Sequence, residues 1–319
     1  MTVLGIDIST DHIRLTEKET VLFDEPGFLA YDSMNQVNAI GWQALDQIGQ
    51  SRVVSLTNKK TISDYLEFLF QEKSVFKLFR RTDVFICFPT SYSQQTCEEI
   101  CQFVVKQGAR EVISDQSVWC TALASNLPIH FPSAQCLCII NQKEATIAVL
   151  ANGTIRCQNN CTVTGQHIEE RLRSWIQQTY KIQITHQTLD SILEQIGQVN
   201  EQNSPLRMQI HGIETKTQRM QTVLLDENQV AGALSGISYE WANWIYSFLN
   251  TLDPATQQQI AQAGITCCGQ TMTLNGLGSF LQSQLHIPFQ LLQPADRLSL
   301  FGVQMILKQM EDGTLYEEG

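Results

Sequence analysis

The feature that most constrains this chain is a pattern that runs once and then starts again. Near the N-terminus, TVLGIDIS, HIRLTEK and TVLFDEPGFLAYD read as a meander of strands over residues 2 to 35. A helix follows at 61 to 72, where Ile62, Tyr65, Leu66 and Leu69 give an i, i+3, i+4, i+7 stripe. The apolar run Asp83 to Phe88 is a buried-type strand ended by Pro89, and Ser93 is placed to cap a helix with the stripe Cys97, Ile100, Cys101 and Val104 and with Gly108 as its stop. Strand EVIS and a short helix around 117 to 126 close this half. Strands resume at 136 to 150 and 153 to 163, and helices follow with the stripes Ile168, Leu172, Trp175, Ile176 and Leu189, Ile192, Leu193, Ile196. After a polar loop at 197 to 206 come a solvent-edged hairpin at 207 to 226 and a helix marked by Trp241, Trp244, Ile245 and Phe248, whose stripe reads as core rather than as a protein-binding face. Pro254 opens a short helix, and strand GITCC leads into a helix from Leu274 to Leu285. The plan is a duplicated α/β fold, and 319 residues exceed the size at which one core is comfortable.

Charge and cysteine usage narrow the setting. A net charge of −11 opposes general binding to nucleic acid or to anionic lipid unless basic residues cluster locally. No run of about 18 apolar residues occurs, and MTVLGIDIST lacks a basic, apolar leader, so the expectation is a cytoplasmic protein. The ten cysteines then read as free thiols used as small hydrophobes. No zinc motif of paired CxxC or Cys/His type is present, and no metal ligands are assigned. Within CLCIINQKEATIAVL, two strands meet at the polar turn Asn141, Gln142, Lys143, Glu144, which lacks the glycine that tight hairpins prefer.

Four stretches in order resemble the MreB family of bacterial actin homologues, in the actin-like ATPase superfamily: GIDIST with FDEPGFLAY; VFICFPTSYS with KQGAREVIS and ASNLPI; TVTGQHIEERL; and AGITCCGQTMTLNGLGSFLQSQLHIPF with ADRLSLFGVQMIL. The resemblance covers nearly the whole chain. It implies an actin-like fold: two duplicated halves, each a mixed β-sheet flanked by helices, with small inserted subdomains. The first half is expected over 1–133 with a small subdomain near 24–57, the second over 134–319 with one near 181–247 and a C-terminal helix returning towards the first half. In such proteins the halves close on ATP and Mg²⁺, and the molecules join into protofilaments beneath the membrane.

The family's nucleotide loops are altered here. Its first phosphate loop, roughly Gly-Ile-Asp-Leu-Gly-Thr, stands as Gly5 to Thr10; Asp7, which the family uses to hold Mg²⁺ through water, and Thr10 survive, but Ser9 replaces a glycine and Asp11 adds a repulsive charge. The second, Asp-Ile-Gly-Gly-Gly-Thr-Thr, falls on the quoted hairpin, so that Ile139 stands for the aspartate and Asn141, Gln142 and Lys143 for the glycines. Three side chains would then occupy phosphate space. A combined penalty of about 3 to 5 kcal/mol lowers affinity on the order of 10²- to 10³-fold or more. Neither family glutamate survives in the general-base region Asp115-Gln116-Ser117-Val118-Trp119, where Asp115 is one residue out of place. On the adenosine side Gly269 remains beside Gln270 and Thr271, and Gly165 remains between Thr164 and Gln166. Asp7, Thr10, Gly165 and Gly269 are thus vestigial nucleotide positions, no catalytic residue is assigned, and the cofactor is none, or weakly held ATP and Mg²⁺. Asn141, Gln142, Lys143 and Glu144 are read as filling the vacated cleft, with Lys143 either supplying the metal's charge to Asp7 or lying solvated at the turn tip.

In SVFKLFRRTD, Leu78 and Phe79 stand where the family has a membrane-dipping Leu-Phe pair. Each contributes about 1.5 to 3 kcal/mol if buried, and Lys77, Arg80 and Arg81 about 1 kcal/mol each against anionic lipid; the alternative is that Phe76 and Phe79 pack under the neighbouring sheet. The first expectation is a cell-shape protein, peripheral at the inner face of the membrane, that forms or joins filaments with little or no ATP turnover. Its partners by resemblance are itself or an MreB-type paralogue, the inner membrane surface and membrane proteins of the wall-elongation machinery, not nucleic acid. The alternatives are a monomeric actin-fold adaptor docking a membrane complex, and a conventional ATP-hydrolysing relative.

Overall fold

A computed structural model describes residues 2–8, 12–76 and 81–314. In chain order the first elements are β1 (Thr2–Ile8), β2 (His12–Glu17), β3 (Thr20–Pro26), β4 (Phe28–Tyr31), β5 (Val37–Ile40), α1 (Gly41–Leu45), β6 (Arg52–Ser55), α2 (Lys59–Glu72), β7 (Thr82–Phe88), α3 (Gln94–Gln107), β8 (Glu111–Gln116) and α4 (Ser117–Ala124). There follow β9 (Gln135–Ile140), β10 (Ala145–Ala151), β11 (Thr154–Asn160), α5 (Gln166–Tyr180), β12 (Ile182–Gln183), α6 (His186–Ile196), β13 (Arg207–Glu214), β14 (Met220–Asp226), α7 (Glu227–Leu249), α8 (Pro254–Ala263), β15 (Ile265–Cys268), a 3-10 turn over Gln270–Thr273, α9 (Leu277–Leu285), β16 (Phe289–Leu291) and α10 (Leu298–Asp312). Contacts divide the chain into two units, residues 1–127 with 297–319, and residues 128–296.

Each unit is built on a five-stranded sheet of the same design. In the first unit the order is β3-β2-β1-β7-β8, an antiparallel meander followed by two parallel strands. In the second it is β11-β10-β9-β15-β16 with the same senses. Strand alternation decides which face each residue serves. Leu4, Ile6 and Ile8 of β1 join Val84 and Ile86 in a core closed by Ile62 and Leu66 of α2 and Ile100 and Val104 of α3. Val3, Phe85 and Cys87 face the other way, against Cys120 of α4 and Val303, Ile306 and Leu307 of α10. Burying each such large aliphatic or aromatic side chain contributes roughly 1.5–3 kcal/mol.

The helix signals act as the sequence suggests. Ser93 accepts the Thr96 N–H, Gly108 ends α3 at φ +123°, and Asp253 caps the Pro254 helix. Trp241 is fully buried and donates to the Val163 carbonyl, while Trp244 reaches Asn159 on β11, so this stripe is core. All ten cysteines are free and buried or partly buried, and burial raises Cys97 to about 11 and puts Cys136 and Cys267 well above the ordinary thiol value. Two expectations change. FLAY does not continue the meander but pairs with β5 and β6 in a separate three-stranded sheet. The helix expected from Leu274 begins at Leu277, because Gly276 at φ +80° interrupts the chain after the 3-10 turn. Among the described residues no helix is long and apolar enough to cross a membrane.

Gly302 on α10 lies directly against the Cys120 backbone, and a Cβ there would collide with its carbonyl. Gly302→Ala is expected to destabilise the protein by about 1–3 kcal/mol in urea denaturation. Gly278→Ala, on α9 with nothing within 4 Å of the new carbon, is expected to be neutral or stabilising.

Candidate functional site

The first unit places a line of charge across three strands. Asp7, Arg14 and Asp24 are register partners on β1, β2 and β3, so their side chains share one face. Asp7 is fully buried; its Oδ2 accepts from Arg14 Nη1 at 3.1 Å and from Ser299 Oγ, at the start of α10, at 2.9 Å. Arg14, also buried, donates from Nε to Asp24 Oδ1 at 3.1 Å. Arg297 lies 3.4 Å from the other Asp24 oxygen, and His12 is 2.9 Å from Oδ1. Burial pulls the Arg14 guanidinium down, but Asp7 and Asp24 more than offset this, so its pKa stands above the ordinary value. Two carboxylates thus meet two guanidinium groups. Oδ1 of Asp7 is buried and has no hydrogen-bond partner among the described residues. Thr10 lies outside the described residues.

In the second unit the hairpin 141–144 is stitched to its neighbours. Asn141 N–H donates to the Glu144 carbonyl at 2.7 Å, and neither Gln142 nor Lys143 takes a positive φ, so the turn closes without glycine. The Asn141 carbonyl accepts from Gly165 N–H at 2.9 Å and the Gln142 carbonyl from Gln166 N–H at 2.8 Å. These are N–H groups at the start of α5, where an anion would otherwise be drawn by unpaired donors. Asn141 Oδ1 takes the Gln270 N–H at 3.1 Å, and Gln142 Nε2 donates to Glu169 at 3.0 Å. Glu144 is buried, and Lys143 is partly exposed.

The two surviving glycines serve this packing. A Cβ on Gly165 would strike Thr271 Oγ1 and crowd the Asn141 carbonyl and Gln142 Cα; one on Gly269, at φ +102°, would strike the Ile140 backbone. The structure therefore brings Asn141, Gln142, Gly165 and Gly269 together. Asp115 is exposed and accepts the N–H of Gln116 at 2.7 Å. Lys77, Leu78, Phe79 and Arg80 lie outside the described residues, and Arg81 is exposed. Sequence reasoning missed Arg14, Asp24 and Ser299. The first two were within reach, since the antiparallel register of β1, β2 and β3 fixes which residues stand opposite Asp7.

This duplicated sheet plan is that of the actin-like fold. It is shared with a crystal structure of MreB5 of Spiroplasma citri bound to AMPPNP (18% identity, TM-score 0.89, 98% of this chain and 97% of that one). It is also shared with a MamK double helical filament (14% identity, TM-score 0.77, 97% and 98%). Among sequences, the cell shape-determining protein MreB of Haemophilus influenzae is 19% identical over 304 residues, 89% of this chain and 87% of that protein. The MreB/Mbl protein family profile matches residues 1–314, and the chain belongs to that family.

Arg14→Met leaves the Asp7 carboxylate buried and unpaired, which is expected to cost about 3–5 kcal/mol. Adding Asp7→Asn is expected to recover part of that loss, so a double-mutant cycle in urea should give a large coupling energy between the two positions.

Proposed function

We propose that this MreB-like cytoskeletal protein forms or joins membrane-associated filaments with little or no ATP hydrolysis. The observation that carries this reading is the bonding of the 141–144 hairpin, which stands where the family has its second phosphate loop, to the Gly165, Gln166 and Gln270 N–H groups, so that the hairpin is tied by its own oxygens to the neighbouring turns. The Asp7–Arg14 pair supports it independently, because phosphoryl transfer rests on a metal and on positioned phosphates. A guanidinium attached to the chain already neutralises the carboxylate that would serve the metal.

Self-association draws support from the likeness to MamK in its double helical filament. Membrane contact rests on Leu78, Phe79 and the flanking Lys77, Arg80 and Arg81, and avidity in a polymer would multiply a marginal single-molecule affinity. A second reading is a nucleotide-binding protein, and it is favoured by MreB5 of Spiroplasma citri, which was crystallised with AMPPNP and with ADP.

Calorimetric titration with Mg-ATP is expected to give no saturable binding in the micromolar range, and phosphate release should match the no-protein blank. Micromolar binding would establish the second reading, and steady phosphate release would make the protein an ATPase. Sedimentation with anionic liposomes is expected to pellet polymer without nucleotide, and Leu78→Ser with Phe79→Ser should leave it in the supernatant. A monomer that stays in the supernatant in every condition would instead favour an adaptor.

A further inference from the structure

The second unit carries a group of potential metal ligands beside the 141–144 hairpin. Thr185 caps α6 by accepting the Thr188 N–H at 3.1 Å, which starts the helix so that His186 and Asp190 stand one turn apart on one face. Glu169, in the first turn of α5, approaches from the neighbouring helix. Its Oε2 lies 3.6 Å from His186 Nδ1, and Asp190 Oδ1 lies 3.5 Å from the same nitrogen. One donor atom from each residue falls within 4.8 Å of the others.

The surroundings are those of a cation site. The other Glu169 oxygen is held by Gln142 Nε2 at 3.0 Å, the kind of outer hydrogen bond that orients a ligating carboxylate. Glu169 and Asp190 open on a pocket of about 490 Å³ that Glu194, a further turn along α6, and Thr271 also line. Among the described residues no lysine or arginine lines it. Thr271 is only 7% exposed, and its Oγ1 has no hydrogen-bond partner among the described residues. Burial holds the Glu169 carboxyl above its usual value, with Asp190 adding to this and His186, Arg173 and Gln142 opposing it. Arg173, the nearby cation, is engaged with the Ile184 carbonyl at 3.3 Å.

We propose that Glu169, His186 and Asp190 form a site for a first-row divalent transition metal ion of the Zn²⁺ or Co²⁺ type. Two carboxylates balance the ion's charge. The imidazole nitrogen selects this class over Mg²⁺, which prefers an all-oxygen shell. Three protein ligands leave further positions open towards the pocket for water or a small anion. The pocket is also lined by Gln142, Gly165 and Gln270, so the site shares its mouth with the vacated cleft and rests on that reading.

The test is titration of the full chain with CoCl₂, followed by absorbance and by metal content after dialysis. One Co²⁺ per chain is expected, with a ligand-field spectrum free of thiolate charge transfer, which separates this site from the ten cysteines. His186→Ala and Asp190→Asn alter exposed side chains, so their metal-free melting temperatures should match the parent. Each should weaken Co²⁺ binding at least about tenfold, and Gln142→Ala about 10- to 100-fold. Unchanged affinity in both His186→Ala and Asp190→Asn, a thiolate band, or no stoichiometric uptake would each overturn the proposal.

Discussion

A carboxylate with no exposure to water is tolerated only where its charge is met, and Asp7 sits at that extreme on the central strand of the first unit. What meets it is fixed by register. A two-stranded antiparallel pairing puts Arg14 opposite Asp7, and the next pairing puts Asp24 opposite Arg14, so the sheet cannot form in this register without forming the ion pairs. Slipping β2 by one residue would send Arg14 into the apolar face that holds Ile13 and Leu15 and leave Asp7 against hydrocarbon. The electrostatics therefore specify the pairing as much as they stabilise it. The same face carries Gly5, whose missing side chain lets Val303 of α10 approach, and this brings Ser299 within reach of Asp7.

The second unit neutralises its equivalent strand-to-helix region by hydrogen bonding rather than by charge. Its hairpin has no aspartate in the place of Asp7; Ile139 stands there and is buried. Instead, carbonyl oxygens of residues 141 and 142 satisfy N–H groups of residues 165 and 166, and an asparagine amide oxygen satisfies residue 270. Gly165 and Gly269 are needed for this arrangement, since a side chain at either would collide with backbone or with Thr271. Both glycines are thus required by the chain's packing against itself.

Much of this was legible in the sequence. Periodicity of 2 and 3.6 located the strands and helices, and Ser93, Gly108 and Pro254 marked their ends because each acts through its own local chemistry. The hairpin at 141–144 was also legible, since its polar residues stand between two β-branched runs. The small sheet β4-β5-β6 was not, because its strands are four residues long and carry too few alternations to declare a period. Arg14 was missed for a different reason. One charged residue in a strand looks like an outward-facing position until the register shows that it faces a buried acid. Glu169, His186 and Asp190 were invisible as a group, because 17 positions separate Glu169 from His186 and only the packing of α5 and α6 brings them together.

Neutralising groups attached to the chain behave differently from a bound cofactor. A ligand stabilises the state it binds by an amount that grows with its concentration, so a protein held by nucleotide responds to nucleotide supply and to its hydrolysis. Arg14 and the 141–144 hairpin cannot dissociate, and their contribution is constant. A ligand shifts a conformational equilibrium only by its differential affinity for the two states. On the proposed reading, in which the hairpin fills the vacated cleft, the differential affinity available to a triphosphate is small. On the proposed reading, then, control of assembly passes from turnover at the loops to whatever changes the protein's local concentration or its surface. A membrane that gathers the chains on one plane is one such influence, and an ion bound between α5 and α6 would be another, acting on the second unit through Gln142 of the 141–144 hairpin.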